Sequence, residues 1–302
     1  MSGALARLLS TSPALHSLLE PLERAARSEA PLLVLGEAGT GRSALARAVH
    51  AESRRAAGPL VELDAATLPV SLFESELFGH RPGAFTGADR VQLGRVARAE
   101  TGTLLLDHVE ELPLAVQPKL LRLLAERVYA PLGGVETPAD VRFLAVGSDD
   151  LPARVEARTF REDLYFRLEV LTFRLPPLRD RRSDVLPLAK ALLADLAARF
   201  ARPRARLSPR ARVWLPEHAW PGNLRELRNV LERALLAAAG DEIDPRRPRE
   251  LGAARVRSLA EAERDAIRAA LAEARGHQGR AAALLGISRK GLWEKRKRYG
   301  IP

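Results

Sequence analysis

Residues 32–50, LLVLGEAGTGRSALARAVH, constrain the fold more than any other stretch of this chain. An apolar run is followed by the glycine-rich loop GEAGTG and then by a helix-favouring segment. This order of strand, loop and helix suits a phosphate-binding loop, because glycines permit the tight turn, backbone N–H groups point inward and the helix dipole attracts anions. The pattern calls for lysine where this chain has Arg42, whereas Ser43 keeps a hydroxyl suited to Mg²⁺. The stretch therefore predicts a polyphosphate site.

Further strand-like runs predict a parallel sheet around this loop. They lie at 59–63, 103–107, 141–146 and 170–175, and helical stretches separate most of them, notably 42–55 and 114–126. An amphipathic helix is also predicted at 14–28, before the first strand. Alternation of strands and helices is typical of an α/β fold with helices on both faces of a parallel sheet.

The pattern changes after the last of these strands, and the change predicts the domain organisation. We expect an α/β core at 1–175 that includes the short N-terminal helix, and an all-α lid at 176–243. Residues 244–257 are charged and contain prolines, which favours a linker. Residues 258–302 become helical again and end in a basic cluster.

Composition limits the class of protein. The 302 residues include no cysteine, which excludes disulfides and thiolate zinc sites and fits a reducing cytoplasm. The net charge of +10 suggests a polyanionic partner. Neither a run long enough to span a bilayer nor a secretory segment is visible in the sequence. We therefore expect a soluble, cytoplasmic protein without a membrane partner.

A second feature supports nucleotide binding. The apolar run GTLLLD ends on Asp107. A carboxylate at the end of a strand beside a phosphate loop can hold Mg²⁺ directly or through water, although such an aspartate can also be a turn residue. Together with the loop, Asp107 favours a site for ATP and Mg²⁺.

Several motifs resemble one family. The segment ESELFGHRPGAFTGA at 74–88 is similar to the characteristic motif of the sigma-54-dependent transcriptional activators, the bacterial enhancer-binding proteins of the AAA+ superfamily. The similarity continues through GTLLLD, ELPLAVQPKLLRLL, FREDLYFRL, LPPLRDRRSD and WPGNLRELRN, and covers residues from about Ser12 to Ile301. The resemblance implies an AAA+ core, a helical lid and a C-terminal helix-turn-helix domain.

The resemblance also implies roles for individual residues. The nucleotide loop would comprise Gly36, Glu37, Ala38, Gly39, Thr40, Gly41, Arg42 and Ser43, with Arg225 as the lid arginine that senses the nucleotide. Ser43 and Asp107 would be associated with Mg²⁺, while Arg161 and Arg167 match arginine fingers that reach a neighbouring subunit of an expected hexameric ring. The sigma-54 contact would comprise Gly83, Ala84, Phe85, Thr86, Gly87 and Ala88. Phe85 would be an exposed anchor, the alternative being a buried loop aromatic.

Four positions depart from the family pattern. Arg42 replaces the loop lysine, His108 stands where the family has a water-orienting glutamate, and Ser148 occupies the position of a sensor asparagine. Asp64 replaces an asparagine that holds that glutamate in an inactive pose. Asp64 and His108 are therefore catalytic candidates as a replacement dyad, the alternative being a salt-bridged remnant of a lost switch. Glu110 is too far along the chain to be a simple substitute for the glutamate.

The C-terminal segment resembles the Fis-type DNA-binding domain. Gly286 and Ile287 separate two helical pieces, and Ser288 is a candidate N-cap for the second. The resemblance places Trp293 in the core, because the family has at this position an aromatic residue that packs the helix inward. The candidate DNA-binding residues are Arg280, Arg289, Lys290, Lys295, Arg296, Lys297 and Arg298, with Arg289 and Lys290 at base edges and 295–298 on phosphates.

Two functions remain open on the sequence. The first is a sigma-54-dependent regulator that binds ATP and enhancer DNA and remodels the closed promoter complex of sigma-54 RNA polymerase through GAFTGA. The second is a nucleotide-binding but hydrolytically impaired DNA-binding regulator that modulates active paralogues. Only about thirty residues precede the first strand, fewer than a regulatory domain needs. Control by a separate protein, by expression level or by the nucleotide is therefore expected.

Overall fold

A computed structural model describes residues 3–245, 267, 270–271, 274 and 277–299. The chain divides into two compact units, Met1–Pro245 and Arg246–Pro302, and each is described separately. Of the linker predicted at 244–257, residues 246–257 lie outside the described residues.

The strands of the first unit confirm the five predicted runs and add short ribbons. In chain order they are β1 (Leu32–Gly36), β2 (Leu60–Asp64), β3 (Gly79–His80), β4 (Gln92–Leu93), β5 (Thr103–Asp107), β6 (Val128–Tyr129), β7 (Thr137–Pro138), β8 (Arg142–Gly147), β9 (Leu171–Leu175), β10 (Arg206–Leu207) and β11 (Glu242–Ile243). The short strands form the pairs β3–β4, β6–β7 and β10–β11.

Five strands form one parallel sheet in the order β2-β5-β8-β1-β9. β1 is buried along its whole length, which explains its continuous apolar sequence, since a strand in a parallel sheet is covered on both faces. The carboxyl ends of parallel strands lie at the same edge. That edge therefore carries the residues that follow β1, β2, β5 and β8, and it is the place where ligands bind in open α/β sheets.

Helices cover the sheet and build the lid. They are α1 (Ala4–Ser10), α2 (Leu19–Ala26), α3 (Arg42–Ala51), α4 (Val70–Phe78), α5 (Arg95–Arg98), α6 (Gln117–Glu126), α7 (Leu151–Glu156), α8 (Glu162–Leu168), α9 (Arg182–Arg199), α10 (Pro209–Trp214) and α11 (Asn223–Ala237). The helix expected at 14–28 is a 3₁₀ helix, Pro13–Leu18, followed by α2, and the one expected at 42–55 ends at Ala51. Separate apolar clusters form around the core and within the lid, where Trp214 and Trp220 are buried.

The second unit contains two fully described helices, α12 (Gln278–Leu284) and α13 (Arg289–Tyr299). Gly286 lies between them with φ of +66°, a conformation that favours glycine. The predicted cap is confirmed, because the Ser288 hydroxyl accepts a hydrogen bond from the Gly291 N–H at 3.0 Å. The expectation for Trp293 is wrong: it is 56% exposed, whereas Leu292 is buried. Successive residues on a helix point about 100° apart, and here Leu292 faces the core while Trp293 is directed toward solvent.

Across the described residues, no helix combines the length and apolar character that a membrane span requires.

Candidate functional site

The glycine-rich loop connects β1 to α3 at the carboxyl edge of the sheet. Gly39 has φ of +81°, and a Cβ there would come 2.5 Å from the carbonyl oxygen of Gly222 in the lid. A Cβ at Gly36 would come 2.7 Å from the carbonyl oxygen of Leu175 at the end of β9. Glycine is therefore required both for the shape of the loop and for the close approach of its neighbours.

The side chain of Arg42 is directed into the protein. Its Nη1 donates a hydrogen bond of 2.7 Å to the carbonyl oxygen of Gly36 and another to that of Gly147, and the residue is only 6% exposed. The guanidinium therefore joins the ends of β1 and β8 beneath the loop. In this arrangement Nη1 of Arg42 is engaged by backbone carbonyl oxygens.

Ser43 and Asp107 meet at the same edge. The Ser43 hydroxyl donates to Oδ2 of Asp107 at 2.6 Å, and Oδ1 of Asp107 accepts from the His108 N–H at 2.9 Å. The described residues contain no cluster of three or more histidine or acidic side chains that could hold a metal. A single carboxylate and a hydroxyl nevertheless fit Mg²⁺, which is usually bound through one or two carboxylates together with water and substrate phosphates.

The turn after β5 directs two side chains toward opposite neighbouring strands. His108 has a left-handed backbone with φ of +53°, and a 3₁₀ helix, Val109–Glu111, follows it. Toward β2, Nδ1 of His108 lies 2.8 Å from Oδ1 of Asp64. Toward β8, Oε2 of Glu110 accepts a hydrogen bond of 3.1 Å from the Ser148 N–H. The structure thus brings together the histidine and aspartate of the predicted dyad.

Glu110, set aside on the sequence alone, makes a contact that the sequence did not predict. It is 7% exposed, and its carboxylate contacts the backbone at Ser148, one of the positions that depart from the family pattern. Its neighbour Glu111, by contrast, forms a surface ion pair with Arg154 at 2.8 Å. The two glutamates are adjacent in sequence but differ in burial and in the group that each contacts.

The lid contacts the backbone of the loop directly. Nδ2 of the buried Asn223 donates to the carbonyl oxygen of Ala38 at 3.1 Å, and the Leu224 N–H donates to that of Gly39 at 2.9 Å. Nη2 of Arg181 donates to the carbonyl oxygen of Thr40 at 2.8 Å. Sequence reasoning did not single out these lid residues. The motifs that contain them, LPPLRDRRSD and WPGNLRELRN, were the available signal.

An ion pair adds to this junction between loop and lid. Nη1 of Arg179 lies 2.8 Å from Oε2 of Glu37, and this hydrogen bond lowers the pKa of the glutamate. Arg225, the expected sensing arginine, is exposed on α11. Its own Cβ would lie 3.2 Å from a Cβ at Gly39, so it is adjacent to the loop.

The two candidate arginine fingers lie at α8, away from the loop's hydrogen-bond network. Arg161 is exposed and its guanidinium is paired with Asp163 at 2.7 Å, which lowers the pKa of that aspartate. Arg167 is also exposed, and its Nη2 lies 3.3 Å from the carbonyl oxygen of Leu124. No hydrogen bond connects either arginine to the nucleotide loop of the same chain within the described residues.

The GAFTGA segment forms a turn between β3 and β4. The Gly83 N–H donates to the carbonyl oxygen of Ala88 at 2.8 Å, and both Gly83 and Gly87 have positive φ with open space around them. Phe85 is 41% exposed and meets the ring of His80 edge-on at 4.9 Å between centroids. The aromatic side chain is therefore at the surface, as expected for an anchor, and rests against a histidine at the base of the loop.

The described basic side chains of the second unit have different exposures. Arg280, Arg289 and Lys297 are exposed, whereas Lys295 and Arg296 are half-buried. Nζ of Lys297 lies 5.5 Å from the ring centroid of Trp293. The side chains of the other two candidates, Lys290 and Arg298, lie outside the described residues.

Comparisons with known families match the chain along most of its length. Residues 8–174 match the sigma-54 interaction domain, residues 179–263 match the AAA+ ATPase lid domain, and residues 258–299 match the bacterial regulatory proteins of the Fis family.

Individual relatives agree with these matches. The chain is 42% identical to the regulatory protein AtoC of Escherichia coli, over 97% of this chain and 68% of AtoC. It is also 42% identical to the alginate biosynthesis transcriptional regulatory protein AlgB of Pseudomonas aeruginosa, over 97% of this chain and 68% of AlgB. Among solved structures, NtrX from Brucella abortus in complex with ATP has a TM-score of 0.78 at 31% identity, covering 100% of this chain and 69% of NtrX. NtrX in complex with ADP has a TM-score of 0.76.

Proposed function

The chain belongs to the sigma-54-dependent transcriptional regulators of the AAA+ superfamily, and on this premise we propose that it is a nucleotide-binding regulator that binds enhancer DNA and acts on sigma-54 RNA polymerase. The observation that supports the proposal most directly is the meeting of the glycine loop, Ser43 and Asp107 at the carboxyl edge of the sheet. The lid contacts the same loop.

ATP is the proposed ligand of this loop. The glycines leave room at positions where a Cβ would collide with backbone, and α3 begins at the loop with the positive end of its dipole. NtrX, which is similar in structure, was crystallised with ATP and with ADP. Ser43 and Asp107 would hold Mg²⁺, which would neutralise charge on the β- and γ-phosphates.

The residues around the loop support a route for ATP hydrolysis. Nδ1 of His108 is engaged with Asp64, so any contact of this ring with water at the site uses Nε2. Asp64 would orient the imidazole, and Nε2 would accept a hydrogen bond from the attacking water. By the family resemblance, Arg161 and Arg167 would serve a neighbouring subunit of a ring, and both side chains are exposed and accessible to such a partner.

A second candidate function is favoured by one observation. Nη1 of Arg42 donates to two carbonyl oxygens at the ends of β1 and β8, so in this arrangement it is not available to a phosphate. Phosphoryl transfer depends on positioning and electrostatics, so a site without that cation would bind nucleotide yet turn it over slowly. The protein would then be a DNA-binding regulator that modulates active paralogues.

Contacts with the partners are assigned to two surfaces. The turn Gly83–Ala88 would contact sigma-54 through Phe85, which is a large, exposed side chain on a segment whose glycines allow movement. The exposed Arg289, at the start of α13, would approach base edges, while Lys297 would lie on phosphates.

Nucleotide binding is the first test. Titration of the full chain with fluorescent ATP and ADP in the presence of Mg²⁺ is expected to show saturable binding that Ser43→Ala weakens. If neither nucleotide binds, the proposed function is wrong.

Steady-state ATP hydrolysis then separates the two candidate functions. Turnover that Arg161→Ala abolishes, and that the control Arg212→Ala on an exposed part of α10 leaves intact, supports an active remodelling ATPase. Binding of ATP and DNA without turnover supports the impaired regulator. Measuring the double variant Arg42→Lys, His108→Glu shows whether those two departures limit the rate.

A further inference from the structure

The peptide unit between Gly147 and Ser148 is contacted at both ends by charged side chains. Its carbonyl oxygen accepts a hydrogen bond from Nη1 of Arg42, and its N–H donates to Oε2 of Glu110 at 3.1 Å. In a trans peptide the C=O and N–H groups point in opposite directions. The cation and the carboxylate therefore lie on opposite sides of one peptide dipole, each at the end that its charge favours.

The surroundings make this contact close. Arg42 is 6% exposed and Glu110 is 7% exposed, so neither group is well hydrated. A Cβ at Gly147 would come 3.0 Å from Cγ2 of Val109 and 3.4 Å from Oε2 of Glu110. The peptide unit is therefore contacted on both sides in a space that leaves little room for it to move.

The sheet order explains why these residues meet. β8 lies between β5 and β1, so the residue that ends it has the turn after β5 on one side and the nucleotide loop on the other. The left-handed His108 turns the chain so that Glu110 faces β8. Arg42, in the first turn of α3, reaches back beneath the loop to both β1 and β8.

We propose that Arg42 and Glu110 clamp the Gly147–Ser148 peptide and thereby fix the Ser148 side chain at the edge of the nucleotide site. Glu110 is then a positioning residue, and Arg42 is a structural cation of the sheet edge that does not contact phosphate. Ser148 follows β8 directly, and the resemblance gives it the sensor position of the family, so we expect its placement to affect the relative affinity for ATP and ADP. The inference rests on the proposed nucleotide site.

Variants of Glu110 in the full chain test the clamp. Glu110→Ala removes the acceptor, and Glu110→Asp keeps the charge but withdraws the oxygen by one methylene. Glu110→Gln keeps an oxygen that can accept from the Ser148 N–H. Glu111→Ala is the matched control, since that carboxylate belongs to the same turn but forms a surface ion pair with Arg154.

The first measurement is amide hydrogen exchange of Ser148 in the absence of nucleotide. Exchange is expected to be about tenfold faster in Glu110→Ala and Glu110→Asp, and close to wild type in Glu110→Gln, because only the last retains the hydrogen bond. Unchanged exchange in Glu110→Asp, or an equal change in Glu111→Ala, would overturn the proposal. If Glu110→Ala does not fold, the comparison of the aspartate and glutamine variants decides.

The second measurement is the ratio of the Kd values for ADP and a non-hydrolysable ATP analogue. Glu110→Asp is expected to change this ratio by about fivefold while leaving the Kd for ADP nearly unchanged. Glu110→Gln is expected to keep the wild-type ratio. Equal loss for both nucleotides would overturn the positioning role. A wild-type chain that binds no nucleotide would refute the proposed function instead, and the exchange experiment would still decide whether the clamp exists.

Discussion

Replacing Arg42 with methionine tests whether its guanidinium serves the fold. Methionine retains much of the aliphatic chain but cannot donate to the carbonyl oxygens of Gly36 and Gly147, which Nη1 joins in this structure. Hydrogen bonds to a charged group contribute about 1.5–3 kcal/mol each, and both acceptors would remain near the end of a buried sheet. Because one nitrogen makes both bonds, their effects overlap. We expect the free energy of unfolding of the first unit to fall by about 3 kcal/mol.

Arg47→Met is the matched control for this experiment. Arg47 lies on the same helix, α3, but its guanidinium is paired with Glu62 at the surface, with side chains 51% and 41% exposed. Exposed ion pairs contribute at most about 1 kcal/mol. Urea denaturation followed by far-ultraviolet circular dichroism, supported by fluorescence of the buried lid tryptophans, measures both variants. If Arg42→Met costs no more than Arg47→Met, the buried role of Arg42 is refuted.

Three further predictions follow from individual contacts. Arg179→Gln is expected to lower the denaturation midpoint at pH 7. The pKa of Glu37 is lowered in the fold from its ordinary value of 4.5, and the ion pair is lost when this glutamate is protonated. The difference in midpoint should therefore diminish as the pH falls below 4.5 and disappear below the lowered pKa. A difference that persists at acidic pH would contradict this origin. Asp64→Ala and His108→Ala should each reduce ATP turnover about tenfold, with no further loss in the double variant because they act as one unit, whereas additive losses would argue against a dyad. Lys297→Ala should reduce the slope of log K for DNA against log salt by about 0.9, as expected for one phosphate contact, and an unchanged slope would remove Lys297 from the interface.

The strands could be assigned from the sequence because their continuous apolar runs are buried in the parallel sheet. The continuous apolar run of β1 and the run ending at Asp107 appear as buried parallel strands with the expected bounds, to within a residue. Helix ends were less predictable: α3 stops at Ala51, four residues before the predicted end. Trp293 was placed wrongly, because its position was taken from the family pattern, whereas in this structure Leu292 occupies the core.

The chemical candidates were recognisable one at a time, but their partners were not. The sequence identified His108 and Asp64 as a pair only through comparison with a family pattern, and their contact at 2.8 Å requires β2 and β5 to be adjacent. From the sequence, Glu110 was considered only as a substitute for the water-orienting glutamate, and its contact was not predicted. Its contact with Ser148 depends on the position of β8 on the other side of β5.

The sequence by itself determined the order of elements, the glycine loop and the family, because these depend on local spacing and on short motifs. Only the tertiary structure decided where the charged ends of side chains lie. Arg42 can reach either side of its loop, and residue type does not select one of them. The selection comes from two carbonyl oxygens that the parallel sheet brings together from positions 36 and 147, more than a hundred residues apart in the chain.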